Sequence, residues 1–322
     1  MLVRRKADIT LAVDFGADAV RLLEVQKRRG QVTLGAIAEQ SLPAGEPETL
    51  PERHLEALGG LLRAQRLAAC RAVAALPTSM VVTRSVNIDK GKGLTPDEYV
   101  RWALENCLPF DSRDLVFDYW PVYDPASGRG QNEVLVVAAQ GTLVERYLHG
   151  MGQLKLRCAH LDTAPCAIAS LLGRCVEDPG AMSGVVALSE RMGYFAIVER
   201  GRVAFWRPFD LPHAQTDETN RQANTDRIGD EISKCMSHMV GSMQVDNLGA
   251  MLLFGHGAEE LVGSGYLRQR FQLEVRAPSP FAALPAASWP ADLDRAQLTH
   301  TTHYCTAVGL AVQEAAGGLA HG

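Results

Sequence analysis

The sequence predicts an α/β protein of two similar halves that face each other across a cleft. Three observations lead there. Leu11–Val25 reads as strand, tight turn and strand, with Asp14 ending the first strand and Gly16 in the turn. A second set of three closely spaced strands starts near Gly184. Each set is followed by alternating helix and strand patterns, as in layered α/β domains, and the restart marks an internal duplication.

The bulk properties agree. A chain of 322 residues is long enough for two domains with large cores. Hydrophobic residues at 47% and charged residues at 21% indicate a globular chain. A net charge of −5 argues against a general nucleic-acid binder. No apolar run reaches the roughly 18 residues of a membrane span, and Met1–Lys6 lacks the apolar core of a signal peptide. The seven cysteines (70, 107, 158, 166, 175, 235 and 305) form no C-x-x-C and read as reduced thiols of a cytosolic protein. Cys158, His160 and Cys166 fit no standard zinc spacing. His300-x-x-His303 lacks a zincin glutamate and reads as a surface turn, so no metal site is expected.

The elements follow in order. Asp8–Phe15, Ala19–Arg28 and Val32–Gln40 are strands of an antiparallel meander, joined by the Gly16 turn, which glycine permits, and by Arg28-Arg29-Gly30. A helix over 51–65 begins at a proline and carries Leu55, Leu58, Leu61 and Leu62 on one face. Strands follow at 71–76 and 81–88. Lys90-Gly91-Lys92-Gly93 lacks the P-loop frame and reads as a solvated loop. Thr95, Pro96 and Glu98 form a capping box for a helix that stops before Pro109. Leu115–Tyr123 and Glu133–Ala139 are paired strands. Thr142 and Glu145 suggest a second capping box, for a helix to about Gly152. Leu156–Leu161 is a short strand, and Asp162 suits the cap of a helix over 164–172.

In the second half, Gly184–Ser189, Tyr194–Arg200 and Arg202–Phe209 repeat the meander, with turns at Met192-Gly193 and Gly201. A polar loop over 210–225 precedes a helix over 226–243. A strand over 250–254 leads into Gly255-His256-Gly257. One more helix, a short strand at 273–275, a proline-rich loop and a final helix over 306–316 complete the chain.

If the duplication places the two meanders face to face, their first turns converge on the cleft. An Asp-x-Gly turn there offers a carboxylate and backbone N–H groups suited to metal-bound phosphate.

The chain resembles the type IV pilus assembly protein PilM family, actin-like relatives of the division protein FtsA. The resemblance rests on Ala12–Gly16 with Val20–Val25, Leu76-Pro77-Thr78-Ser79 with Val82-Thr83-Arg84, and Ala103–Asp111. Val116–Tyr119, Asp162–Ala167, Asp230–Lys234 and Leu253–Ala258 extend it over nearly the whole chain. It implies an actin-like (ribonuclease H-like) fold. Residues 1–83, 159–178 and 300–322 would form the first domain. Residues 84–158 would form the inserted subdomain of PilM and FtsA, and 179–299 a second domain with a reduced fourth subdomain. It further implies a cytosolic adaptor at the inner face of the inner membrane. Such an adaptor binds the cytoplasmic N-terminal peptide of a PilN-like single-span protein, and through it meets a PilO-like protein and the pilus motor ATPases indirectly. The peptide would lie in an apolar groove between the first domain and the insert, near Leu108, Pro109, Phe110, Phe117, Tyr119 and Trp120. The structural alternative is that several of these form the core of the insert.

Against that family the nucleotide site departs. Ala17-Asp18-Ala19 replaces the small hydroxyl residues expected after the first glycine, and the Asp18 carboxylate would repel phosphate unless a metal or Arg21 screens it. Arg21 stands where the family tends to have Lys. The second meander has Ser189–Gly193 with no Asp, and His256 interrupts the glycine run. The segment between Arg207 and Glu231 is short. These departures favour a scaffold with a vestigial cleft, no enzyme activity and no cofactor. The alternative is an ATP-binding switch or slow ATPase using Mg-ATP, carried by Asp14, Gly16, Arg21, Lys234, Gly255 and Gly257. A third reading, a small-molecule kinase, lacks a catalytic base in the second turn.

Overall fold

The computed structural model describes residues 8–28, 31–43, 45–67, 70–89, 91, 93–105, 108, 111–122, 132–175, 182–212, 218–239, 248–284 and 302–316. The opening meander is β1 (Asp8–Phe15), β2 (Ala19–Arg28) and β3 (Gln31–Ser41). After α1 (Leu50–Ala64), β4 (Cys70–Leu76) pairs parallel with β1. β8 (Leu156–Thr163) pairs parallel with β4, so the first sheet runs β3-β2-β1-β4-β8.

The second half repeats this plan. β9 (Met182–Leu188), β10 (Met192–Glu199) and β11 (Arg202–Asp210) form the meander. β12 (Leu248–Gly255) and β13 (Glu274–Arg276) add in parallel, giving β11-β10-β9-β12-β13. Identical strand order in both sheets is the duplication expected from the sequence.

Two helices lie between the sheets, α4 (Ala164–Cys175) and α8 (Cys305–Ala315). Residues Cys305 to Gln313 of α8 are all buried, which explains why that helix is apolar on every side. One core joins these helices to both sheets, taking in Leu11 and Val13 of β1 and Trp206 and Phe254 of the second half. Leu11, Ala12, Val13 and Phe15 are fully buried because β1 is covered on both faces. The outer side of the second sheet packs against α5 (Glu218–Met239), α6 (Ala258–Gly263) and α7 (Tyr266–Phe271).

A third, small sheet has the order β5-β7-β6, from β5 (Val81–Asn87), β6 (Leu115–Pro121) and β7 (Glu133–Gln140). It packs on α2 (Pro96–Leu104) through Val86, Tyr99, Val100, Leu104 and Val136. The Thr95–Glu98 capping box is formed as expected. α3 (Gly141–Gln153) follows β7, packs on α1 as well as on β6 and β7, and leads into β8 of the first sheet.

Four local expectations are corrected. Thr142 is not a capping residue; its backbone N–H and hydroxyl both donate to Asp114, whose carboxylate sits at the N-terminus of α3. Asp162 is still in β8, where it accepts from the Thr163 N–H and the Gln313 amide. Met192 and Gly193 begin β10, and the turn is Ser189–Arg191, closed by the Ser189 N–H to the Met192 carbonyl. α5 starts at Glu218, eight residues before the expected 226, because the buried face of its early turns is polar, Asn224 and Thr225, and carries no apolar period.

Candidate functional site

The β1–β2 turn reaches the seam between the two sheets. Its Gly16 N–H donates to the Ala19 carbonyl at 3.0 Å. Gly16 is needed for close approach: a Cβ there would meet the Ala19 oxygen at 2.9 Å and Arg21 at 3.0 Å. From below, the buried His54 of α1 holds the turn. Its Nε2 lies 2.7 Å from the Gly16 carbonyl and must donate to it, so Nδ1 accepts from the Tyr147 hydroxyl at 2.6 Å. Burial pushes His54 down to about 4, which keeps the ring neutral.

Strand register then builds a row of charges. Arg21 lies opposite Asp14 on β1 and opposite Glu39 on β3. Its guanidinium stands 3.8 Å from Asp14, 2.9 Å from Glu39 and 3.5 Å from Asp18. Burial pushes Asp14 up to about 7; Arg21 opposes this, and Asp18 and Glu39 add to it. Asp18 goes the other way. Burial would raise it, but contact with His256 and the charge of Arg21 hold its carboxyl well below the usual range.

Asp18 also crosses the seam. Its Oδ2 accepts from the Glu190 backbone N–H at 3.3 Å and lies 3.1 Å from Nδ1 of His256, without hydrogen-bond alignment. The His256 ring packs on His303, centroids 5.1 Å apart. Gly255, at φ +91°, ends β12 so close to β9 that a Cβ would collide with the Leu188 carbonyl. Beside these groups lies a cavity of about 80 Å³ lined by Asp14, Gly16, Asp18, Arg21, Tyr194, Gly255 and His303. Ligand pockets commonly measure roughly 300–1,000 Å³.

A second cavity is far larger, about 990 Å³. It runs between the first sheet, the small sheet and the β10–β11 turn. Every residue of β6 from Leu115 to Pro121 lines it, as do His160 to Thr163 of β8. Consecutive residues point to opposite faces of a strand, so both strands present their edges to this groove. β6 and β8 each end the order of their sheet. On β6, Phe117 and Tyr119 pack toward the small core and Trp120 toward the main one. The Phe117 and Tyr119 rings stack at 6.3 Å, with the Arg101 guanidinium over Phe117. Tyr119 donates to Asp97 at 2.7 Å, and Trp120 Nε1 donates to the Val203 carbonyl at 2.6 Å. His160 is raised by its contact with Asp162.

The family model described as type IV pilus assembly protein PilM matches residues 12–211. The chain belongs to the PilM family. Among solved structures, the chain is similar to the PilM–PilN type IV pilus biogenesis complex, at TM-score 0.72 and 20% identity, over 95% of this chain and 98% of that one. It also matches a Bacteroides thetaiotaomicron VPI-5482 protein with an actin-like ATPase fold and unknown function, at TM-score 0.50 and 9% identity, over 88% and 98%. The fold is therefore that of the actin-like proteins.

Within this PilM-family fold the sequence-derived residues separate. Asp14, Gly16, Asp18, Arg21 and Gly255 meet at the small cavity. Lys234 does not line it; it is half-exposed on α5 and pairs with Glu231 at 2.8 Å. Gly257, at φ +69°, starts α6 under Arg221. Phe117, Tyr119 and Trp120 line the groove, whereas Leu108 packs on the small core. Pro109 and Phe110 lie outside the described residues, as do His300 and the lysines of the 90–93 loop. Sequence reading missed His256 as a partner of Asp18. It also missed His303 in the cavity, where a surface turn was expected, and the β8 edge. No sequence signal exposes a strand edge before the sheet order is known.

Proposed function

We propose that the chain is a non-enzymatic adaptor of a type IV pilus or related machine, and that its groove takes the cytoplasmic N-terminal peptide of a PilN-like inner-membrane protein. One observation carries this reading: the edges of β6 and β8, unpaired among the described residues, face one groove of about 990 Å³. An extended peptide would satisfy its backbone on either edge while apolar side chains enter between Phe117, Trp120, Val137 and Leu161. The likeness to the PilM–PilN complex supports a PilN-like partner. Through that partner the chain would stand at the inner face of the inner membrane and reach a PilO-like protein and motor ATPases indirectly. Among the described residues no helix is long and apolar enough to cross a membrane.

The size of the small cleft supports the reading that it holds no nucleotide. The space is about 80 Å³, and Asp18 lies on its wall and accepts from the Glu190 N–H. A second reading, an ATP-binding switch, draws on the convergence of Asp14, Gly16 and Gly255.

Titration calorimetry of the full chain with the synthetic N-terminal peptide of a PilN-like protein tests the proposal. Binding that Val137→Asp and Leu161→Asp each abolish is expected. No binding, or binding indifferent to both, would reject the groove. Sub-millimolar Mg-ATP binding by the wild type would revive the switch.

A further inference from the structure

The Asp18 carboxylate makes contacts that a free anion in the cleft would make. Groups from three segments converge on it, two of them donating, the Glu190 N–H and the Arg21 guanidinium, and His256 standing 3.1 Å away without alignment. The Glu190 N–H comes from the β9–β10 turn, the His256 imidazole from the turn after β12, and the Arg21 guanidinium from β2. Two of the three belong to the second sheet, while Asp18 belongs to the first. The carboxylate is only 9% exposed and remains ionised, held down by the His256 contact and the Arg21 charge against the effect of burial. Its own backbone is fixed as well, since the Asp18 carbonyl accepts from the Leu42 N–H at 2.8 Å. A backbone N–H and a guanidinium aimed at one point favour an anion there.

We propose that Asp18 is a tethered anion occupying a latent phosphate-type oxyanion site, so that the chain closes its own cleft and removal of the side chain opens that site to phosphate. Asp18 thereby replaces a diffusible ligand as the tie between the halves. The space released by deleting the side chain adjoins the existing cavity beside Gly16, Ala17 and Ser189. The Glu190 N–H and His256 then lose their anion while Arg21 keeps Asp14 at 3.8 Å and Glu39 at 2.9 Å, and a doubly charged oxyanion answers the vacated place. This inference deepens the proposed function and rests on its reading that the wild-type cleft takes no nucleotide.

The test uses the full chain as wild type, Asp18→Gly and Asp18→Asn, with inorganic pyrophosphate as the probe in phosphate-free buffer. Asp18→Gly is expected to bind pyrophosphate at least about tenfold more tightly than wild type, and to regain about 2–4 °C of lost melting temperature with it. Asp18→Asn, which keeps the cleft filled, is expected to melt lower and gain little affinity. Equal pyrophosphate affinity in wild type and Asp18→Gly overturns the inference. Tight Mg-ATP binding by the wild type overturns the vestigial-cleft reading as well, so the two failures are distinguishable. Should Asp18→Gly not fold, a cycle of Asp18→Asn and His256→Asn decides. Non-additive losses of melting temperature support the tie, and strictly additive ones reject it.

Discussion

The Trp120 indole N–H donates to the Val203 carbonyl at 2.6 Å, joining the edge strand of the small sheet to the second half of the molecule. Thr83 spans the same seam, its hydroxyl 3.4 Å from the Trp206 carbonyl. Trp120 is thus a strut in the groove wall as well as part of its lining. Trp120→Phe keeps an aromatic ring and deletes the donor, at a cost of about 1–2 kcal/mol. A melt lowered by a few degrees and peptide affinity reduced several-fold are expected. An unchanged melt would show that the strut does not hold the wall.

The pH dependence of stability reads the buried charges. Asp14 rises from an ordinary value near 3.8 to about 7, so between those values the native state keeps a proton that the unfolded chain has released. Its contribution therefore falls as pH rises through that window and is level above it. His54 falls to about 4, so below about 6.5 the unfolded chain takes up a proton that the native state refuses, and stability rises with pH from 4 to 6.5. The two trends oppose each other. Asp14→Asn removes only the first. The stability difference between pH 8 and pH 4 should then shift toward pH 8 by up to roughly 4 kcal/mol. Urea titrations of both proteins across that range check the sign.

Two glycines give opposite expectations. Gly255 sits at φ +91° against the Leu188 carbonyl, so Gly255→Ala strains the backbone and drives β12 from β9. A loss of more than about 3 kcal/mol, or no soluble protein, is expected. Gly152 lies in α3 with nothing near its missing Cβ. Gly152→Ala should leave stability unchanged or raise it by about 0.5–1 kcal/mol. Thermal melts of the pair separate a glycine required by geometry from one that is not.

Much of the fold was legible because it is written in local patterns. β1 and β2 lie at the expected residues since a tight turn fixes their pairing, and the repeated meander announced the duplication. The Asp14–Arg21–Glu39 row follows from the same register, although only its first two members were singled out. The site was harder. Asp18 meets Glu190 across 172 residues of sequence, and no local pattern carries that contact. The β6 and β8 edges exist only once two sheets are assembled. The early turns of α5 hid behind a polar buried face at Asn224 and Thr225.

Amide hydrogen exchange on the full chain, with and without the N-terminal peptide of a PilN-like protein, tests the central claim most directly. An added strand must protect outward-facing amides of Leu115–Pro121, of Leu156–Thr163, or of both, and leave the β1–β2 turn and Ser189–Arg191 unchanged. Protection confined to the Asp18 cleft, or spread over surfaces away from both edges, would contradict the account.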